Sequence, residues 1–316
     1  MSKPAVCFTP DLKFFRPAVR AAASFLAQDD ADEFDVFVVC EEGDVAPGFA
    51  ALDPALRARL RLLTVDFSRF DANLAGRGRF SRAVFRRLFL DRVLPESYAR
   101  LVTVDADMLA ARPGLARLAD VDLGGRPIAA AYDMLYLMDL NGGALAESFR
   151  RHRRAIGLDI ATPYFNAGLM VVDRAAWRAE KIAERVVQAL REKPRRFPFM
   201  EQDALNLTLA GGFAPLSPRA NFMGDFFLLG LEAAIAPIVL HFVNRPKPWQ
   251  YASWRGEARF AEAYRSWFSA SPWPDWSTPG PAGNIRPPRR TAARRRFAER
   301  LAAFLAERRF VDLPAD

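Results

Sequence analysis

Hydrophobic positions along the chain fall in short, dense runs separated by polar, glycine- or proline-marked breaks, a pattern that predicts buried strands alternating with helices. The first run, PAVCFTPD, breaks at Pro10-Asp11, as a buried strand passing into a loop does. A small-residue, helix-prone stretch, AVRAAASFLAQ, follows, and then DVFVVCEEGD and RLRLLTV (59–65) as second and third strands. The segment Ser68 to Ser81 is polar and glycine-bearing, a loop long enough to carry function. AVFRRLFLDRVL has apolar residues at helical spacing and is closed by Pro95; ARLVTVDADML reads as one strand. A short helix near Pro113–Leu118, a strand PIAAAYD and a strand GLMVVD come next. AAWRAEKIAERVVQALREK reads as one helix and EQDALNLTLAG as another, and PIVLHFV is the last clear strand. Strands and helices in this rhythm predict a doubly wound α/β sheet. No internal repeat is visible.

Composition narrows the class. Of 316 residues, 51% are hydrophobic and 26% charged, which excludes a disordered chain and allows one large α/β domain or two smaller ones. Cys7 and Cys40 both lie in apolar, strand-like runs, so they read as buried free thiols and a disulfide-built domain is excluded. No apolar run approaches the roughly 18 to 20 residues that span a bilayer. The opening MSKPAVCFTPD lacks a signal peptide's apolar stretch. The expected location is cytoplasmic.

The net charge of +8 is uneven. Nine arginines and four acids lie between Trp276 and Asp316, so the tail carries +5 and the body is close to neutral. A near-neutral body argues against nucleic acid as a partner. Proline, glycine and tryptophan crowd Ser271 to Pro288. The predicted organisation is therefore a catalytic-size domain over 1–275, then a Pro-rich linker and basic C-terminal helix over 276–316.

Chemistry concentrates at Asp105-Ala106-Asp107, directly after the apolar LVTV. Alternation along a strand points both carboxylates to one side, where they repel each other unless a cation lies between them. At the carboxyl end of a parallel strand, where α/β folds place their ligands, this pattern predicts a divalent metal site. An isolated pair of this kind is also what two solvated turn aspartates look like.

Further along, the chain carries FTPD at the end of its first strand, FRRL in a helix, VTVDADM, IAAAYD, YFNAGLMVVD, EQDALN and HFVNRPKPW. In this order, over Ala5 to Trp249, these segments resemble glycosyltransferase family 8, which includes glycogenin and bacterial lipopolysaccharide galactosyl- and glucosyltransferases. The resemblance implies a single GT-A domain, Rossmann-like, with a mixed but mainly parallel sheet. It implies Asp105, Asp107 and His241 as ligands of Mn²⁺ (or Mg²⁺), a set of two carboxylates and an imidazole that suits manganese. It places Ala106, Lys247 and Arg87 at the donor. Thr9, Asp11 and one of Phe14 or Phe15 fall where the family binds uridine. Asp133, Asn166 and Gln202 match positions lining the sugar and the reacting carbon, where amides and a carboxylate can discriminate among hydroxyl stereoisomers. Asn244 stands where the HxxGxxKPW motif usually has glycine, and asparagine is the best non-glycine residue for a left-handed backbone.

The implied activity is metal-dependent, retaining transfer of a hexose, galactose or glucose, from a UDP-sugar to a saccharide or lipid-linked acceptor in surface-glycan synthesis. With no evident carboxylate nucleophile, front-face attack is preferred. In the tail, Phe297, Leu301, Phe304 and Leu305 form an apolar stripe among arginines, the pattern of a helix on an anionic membrane surface at the inner face of the plasma membrane; the alternative is a helix docked on the domain. The run RRHRR (150–154) reads as a solvated helix face, with His152 not a ligand. Two rivals remain. A nucleotidyl or phosphoryl transferase would need more acidic ligands or a glycine-rich phosphate loop, and neither GxxxxGK[ST] nor GxGxxG occurs. A non-catalytic sugar-nucleotide-binding protein would have lost a metal ligand, and all three candidates are present.

Overall fold

The computed structural model describes all residues except 1–2, 72–73, 77, 79–80, 194, 244, 251–257, 277–290 and 314–316. The expected alternation of strands and helices organises two sheets. The larger has seven strands: β1 (Ala5–Phe8), β2 (Asp35–Cys40), β3 (Leu60–Thr64), β4 (Arg100–Val104), β6 (Ile128–Tyr132), β7 (Phe165–Asp173) and β8 (Ala214–Leu216), in the order β3-β2-β1-β4-β7-β6-β8. The smaller has β5 (Met108–Ala110), β10 (Val239–His241) and β9 (Phe222–Met223), in that order. Within the large sheet only β7 runs antiparallel to its neighbours β4 and β6, so the sheet is mixed and mainly parallel.

The strand sequences explain their position. β1 and β7 are buried almost throughout, and runs such as AVCF and FNAGLMVV are what a strand covered on both faces requires. One apolar cluster fills each side of the sheet. Cys7 and Cys40 are free and buried, as expected. The chain leaves β1 toward β2 and β3, then returns to β4 on β1's other side. The crevice beyond the ends of β1 and β4 is thus a topological switch point, where open α/β sheets bind ligands.

Four sequence expectations change. ARLVTVDADML is two strands: β4 belongs to the large sheet and β5 to the small one, with Asp105-Ala106-Asp107 as the turn between them. AVFRRLFL winds as a 3-10 helix over Arg82–Phe89 before one α-turn at Leu90–Val93. Its threefold winding turns neighbouring arginines to different partners, Arg86 to Asp44 and Pro10 O, and Arg87 to Asp105 and Ala167 O. AAWRAEKIAERVVQALREK breaks at Lys181 (φ +52°) into helices Arg174–Ala179 and Ile182–Glu192. Trp177 and Ile182 are both buried, yet five residues of unbroken helix would set them about 140° apart. The RRHRR run is a solvated face only in part: Arg151 and Arg154 are exposed, while Arg153 and His152 turn inward. Arg153 is completely buried, bonded to Leu135 O and Asp139, and His152 Nε2 lies 2.8 Å from Asp203 Oδ1.

The basic C-terminal helix is present over Ala292–Ala306, and it docks. Phe297 and Leu301 are buried in the same apolar cluster as β1 and β4, and Phe304 packs edge-on against Tyr132 and Tyr136. Beyond it, Val311 N donates to Pro215 O, and Asp312 accepts from Ser217 N and Oγ at 2.6 Å, tying the tail to edge strand β8. The apolar stripe is spent on the domain, which corrects its reading as a membrane-facing surface; Arg295, Arg296, Arg300, Arg308 and Arg309 remain exposed. The Pro-rich linker falls largely outside the described residues. Among the described residues no helix is long and apolar enough to cross a membrane.

Candidate active site

A cavity of about 500 Å³ opens at the switch point. The turn after β1 contributes Thr9, Asp11 and Phe14, while Phe15 is buried in the core; this settles which of the two phenylalanines faces the cavity. Asp11 also caps the helix Leu12–Leu26, accepting from Phe14 N at 2.9 Å, so its carboxylate holds the loop while facing the cavity. The turn after β4 contributes Asp105, Ala106 and Asp107, and the helix at 82–89 contributes Arg87. From β6, β7 and the helix Glu201–Leu209 come Asp133, Asn166 and Gln202; from β10 and the following turn come His241 and Lys247. Every expected site residue except Asn244, which lies outside the described residues, lines this one cavity.

The two sheets meet at the carboxylates. Asp105 N donates to Gly168 O (2.8 Å), extending the large sheet by one bond, and Phe242 N donates to Asp107 O (2.9 Å), opening the small one. Register pairs His241 with Met108, so its ring lies beside Asp107. His241 Nε2 is 3.4 Å from Asp107 Oδ1 and 3.7 Å from Asp105 Oδ2, and one ligand atom from each of the three lies within 4.8 Å of the others. Gly168 makes room for this: a Cβ there would stand 2.5 Å from His241 Cε1 and 2.8 Å from Asn166 Oδ1.

The donor set suits a divalent cation. Two carboxylates and the imidazole's Nε2 converge on one point, and such groups repel without positive charge among them. Part of that charge is supplied by the chain: Arg87 bonds Asp105, and Lys247 Nζ bonds Asp107 and Phe242 O (2.8 Å). Burial would raise the Asp107 pKa, but the Lys247 ammonium outweighs it and holds the carboxyl well below its usual range.

On the cavity's other side burial favours the neutral form of a carboxyl. Asp133 is 5% exposed; it accepts from Leu135 N (2.8 Å), Asn166 Nδ2 (2.7 Å) and Gln202 Nε2 (3.3 Å), yet burial dominates and raises its pKa. Gln202 Oε1 accepts from Ala167 N (3.0 Å) while its Nε2 also reaches Tyr164 OH (3.3 Å). The two site amides therefore brace the backbone and face the cavity at once.

Sequence reasoning passed over three residues. Glu201, 6% exposed, has Oε2 without a hydrogen-bond partner, and burial pushes its carboxyl up to about 8. Its place at the head of EQDALN was the available signal. Gly168 stood inside YFNAGLMVVD, and only the approach of His241 shows its use. Asn221, fully buried and bonded to His241 Nδ1 at 2.9 Å, had no signal; it directly precedes β9 and the helix Gly224–Leu228.

Comparison with known proteins bears on the family and the fold. The family model for "Glycosyl transferase family 8" matches residues 8–253. General stress protein A of Bacillus subtilis is 25% identical over 207 residues, 60% of this chain and 66% of that protein, just under two thirds of its length. The lipopolysaccharide 1,3-galactosyltransferase of Salmonella typhimurium is 23% identical over 272 residues, 82% of this chain and 75% of that one. Among solved structures, the galactosyltransferase LgtC in complex with donor and acceptor sugar analogs superposes with a TM-score of 0.67 over 83% of this chain and 95% of its own, at 22% identity. The fold is the expected GT-A fold.

Proposed function

The chain belongs to glycosyltransferase family 8, and from that membership we propose that it transfers a hexose, galactose or glucose, from a UDP-sugar to a saccharide or lipid-linked saccharide, with retention and with Mn²⁺ or Mg²⁺. The observation that carries this reading is the convergence of Asp105, Asp107 and His241 at the mouth of the switch-point cavity. Bound there, a divalent cation supplies charge stabilisation for a departing diphosphate. Lys247 and Arg87 add fixed positive charge at the same end of the cavity. Thr9, Asp11 and Phe14 are assigned to the uridine, and Ala106 and Asn244 to the donor diphosphate.

Asp133, Asn166 and Gln202 are assigned to the hexose. The lone pairs of Asp133 are already engaged by three donors, which supports front-face attack by the acceptor hydroxyl over a covalent intermediate on that carboxylate. The acceptor class follows the relative named as a lipopolysaccharide 1,3-galactosyltransferase, and a cytoplasmic place of action is part of the same proposal.

Asp107→Ala tests the reading. Mn²⁺-dependent hydrolysis and transfer from UDP-galactose and UDP-glucose should be lost while the circular dichroism spectrum is retained. Unchanged turnover at saturating donor would end the metal-site assignment. A stability screen with UDP, GDP and ADP, each with and without Mn²⁺, checks the nucleotide separately, because a ligand stabilises the fold according to its concentration over its dissociation constant.

A further inference from the structure

A chain of buried amides runs from the sugar side of the cavity to the metal side. Asn166 Nδ2 donates to Asp133 Oδ2 (2.7 Å), Asn221 Nδ2 donates to Asn166 Oδ1 (2.8 Å), and Asn221 Oδ1 faces His241 Nδ1 at 2.9 Å. Exposure is 5% at Asn166, 0% at Asn221 and 3% at His241, so water does not compete for these bonds.

The direction of the chain is fixed by a group that cannot reverse. Gly168 N, a backbone donor, bonds Asn166 Oδ1 at 3.0 Å. That identifies Oδ1 as the acceptor side and leaves Nδ2 for Asp133. An acceptor at Asn166 Oδ1 requires the amino group of Asn221, and this turns Asn221's carbonyl toward His241. Nδ1 must then carry the proton. In the neutral ring the lone pair is on Nε2, the nitrogen beside Asp105 and Asp107.

We propose that Asn221 is a positioning residue that fixes His241 as the Nδ1–H tautomer, presenting Nε2 to a divalent cation, and that Asp133 and Gly168 set its orientation through Asn166. The proposal rests on the metal-dependent reading above for its purpose, but the tautomer itself exists without metal. A ligating histidine oriented through its other nitrogen loses about 10- to 100-fold in metal affinity when that partner is removed.

The chain contains two histidines, which makes the test direct. Protein labelled with ¹⁵N in the imidazole ring is examined by long-range proton–nitrogen NMR, without metal and at a pH alkaline enough to keep both rings neutral. A His152→Asn variant assigns the signals. His241 should show a protonated Nδ1 and an unprotonated Nε2. In Asn221→Leu, a variant of similar size, the Nδ1–H preference should disappear, and Mn²⁺ affinity, read from free Mn²⁺ by electron paramagnetic resonance, should fall about 10- to 100-fold. Asn221→Asp keeps an oxygen facing Nδ1 and should retain the tautomer.

A wild-type His241 protonated on Nε2 would overturn the proposal. So would a folded Asn221→Leu that retains both tautomer and Mn²⁺ affinity. If Asn221→Leu does not fold, the wild-type and Asn221→Asp spectra decide. Wild-type protein that holds the Nδ1–H tautomer but binds no Mn²⁺ would instead sink the metal-dependent reading.

Discussion

Replacing Glu201 with glutamine should remove a pH dependence built into the site. Glu201 opens the helix Glu201–Leu209 at 6% exposure, and the nearest described cation, Arg87, has its Nε 3.8 Å from Oε1 while its terminal nitrogens serve Asp105 and Ala167 O. Burial therefore outweighs Arg87, and the carboxyl is pushed from 4.5 up to about 8. Between those values the folded protein holds a proton that the unfolded chain has released. The stabilisation is complete below about pH 4.5 and is lost as pH rises through about 8. At about 1.4 kcal/mol per pH decade, that interval amounts to on the order of 5 kcal/mol, an upper value because an ionised Glu201 can move toward Arg87. Urea unfolding from about pH 5 to about pH 9 reads this directly. A chelator is needed, because a cation at Asp105 would pull Glu201 toward its ionised form. Wild type should lose several kcal/mol more than Glu201→Gln across the interval. Parallel stability curves would refute the argument that this carboxyl is buried as an acid.

Three further outcomes follow from the geometry. Gly168→Ala should drive a Cβ into His241 and Asn166, weakening Mn²⁺ binding and costing about 1–3 kcal/mol of stability; a Mn²⁺ titration with unchanged affinity would contradict the close approach. Gln202→Ala should lower kcat far more than UDP affinity, because its amide braces Ala167, Asp133 and Tyr164 on the side assigned to the hexose. If UDP affinity falls in proportion to kcat, Gln202 belongs with the nucleotide. Leu301→Ala, at a fully buried position, should destabilise the chain by about 2–5 kcal/mol in a single transition; an unchanged Tm would mean that the tail helix does not dock in solution.

Most strands were legible because burial on both faces leaves dense apolar runs, as in AVCF, DVFVVC and GLMVVD. The cavity residues were legible through ordered motifs rather than through periodicity. What failed did so for specific physical reasons. VTVDADML is apolar enough for one strand, and only the pairing of His241 with Met108 shows that its second half joins another sheet. The helix near Arg87 has helical spacing, and over eight residues apolar spacing does not separate a 3-10 winding from an α-helical one. Arg153 lies among exposed arginines in a sequence that gives no hint which of them is buried; Leu135 O and Asp139 select it. The tail stripe has the pattern of a membrane-surface helix, and amphipathicity cannot say which apolar surface it meets. Tyr132, Tyr136 and the core around Leu301 are that surface.

The protonation preferences divide the cavity in a way that matches the proposed donor. At one end Asp107 stays ionised against burial because Lys247 holds it so, and Asp105 has Arg87. These are fixed charges suited to a cation and a diphosphate, whose own charges balance nearly one for one. At the other end burial shifts Asp133 toward its neutral form, and the remaining groups are the amides of Asn166 and Gln202. A hexose carries hydroxyls and no charge, so a wall of amides around a carboxyl whose oxygens are already hydrogen-bonded can bind it without burying an unpaired ion. The amide chain through Asn221 joins the two ends. A substitution at Asn166 would therefore act on both: it would remove a sugar-side amide and also release the carbonyl of Asn221 that orients His241. Metal affinity and sugar selectivity should fall together there, whereas they should separate at Gln202, which bonds Asp133 but has no hydrogen bond to Asn221 or His241.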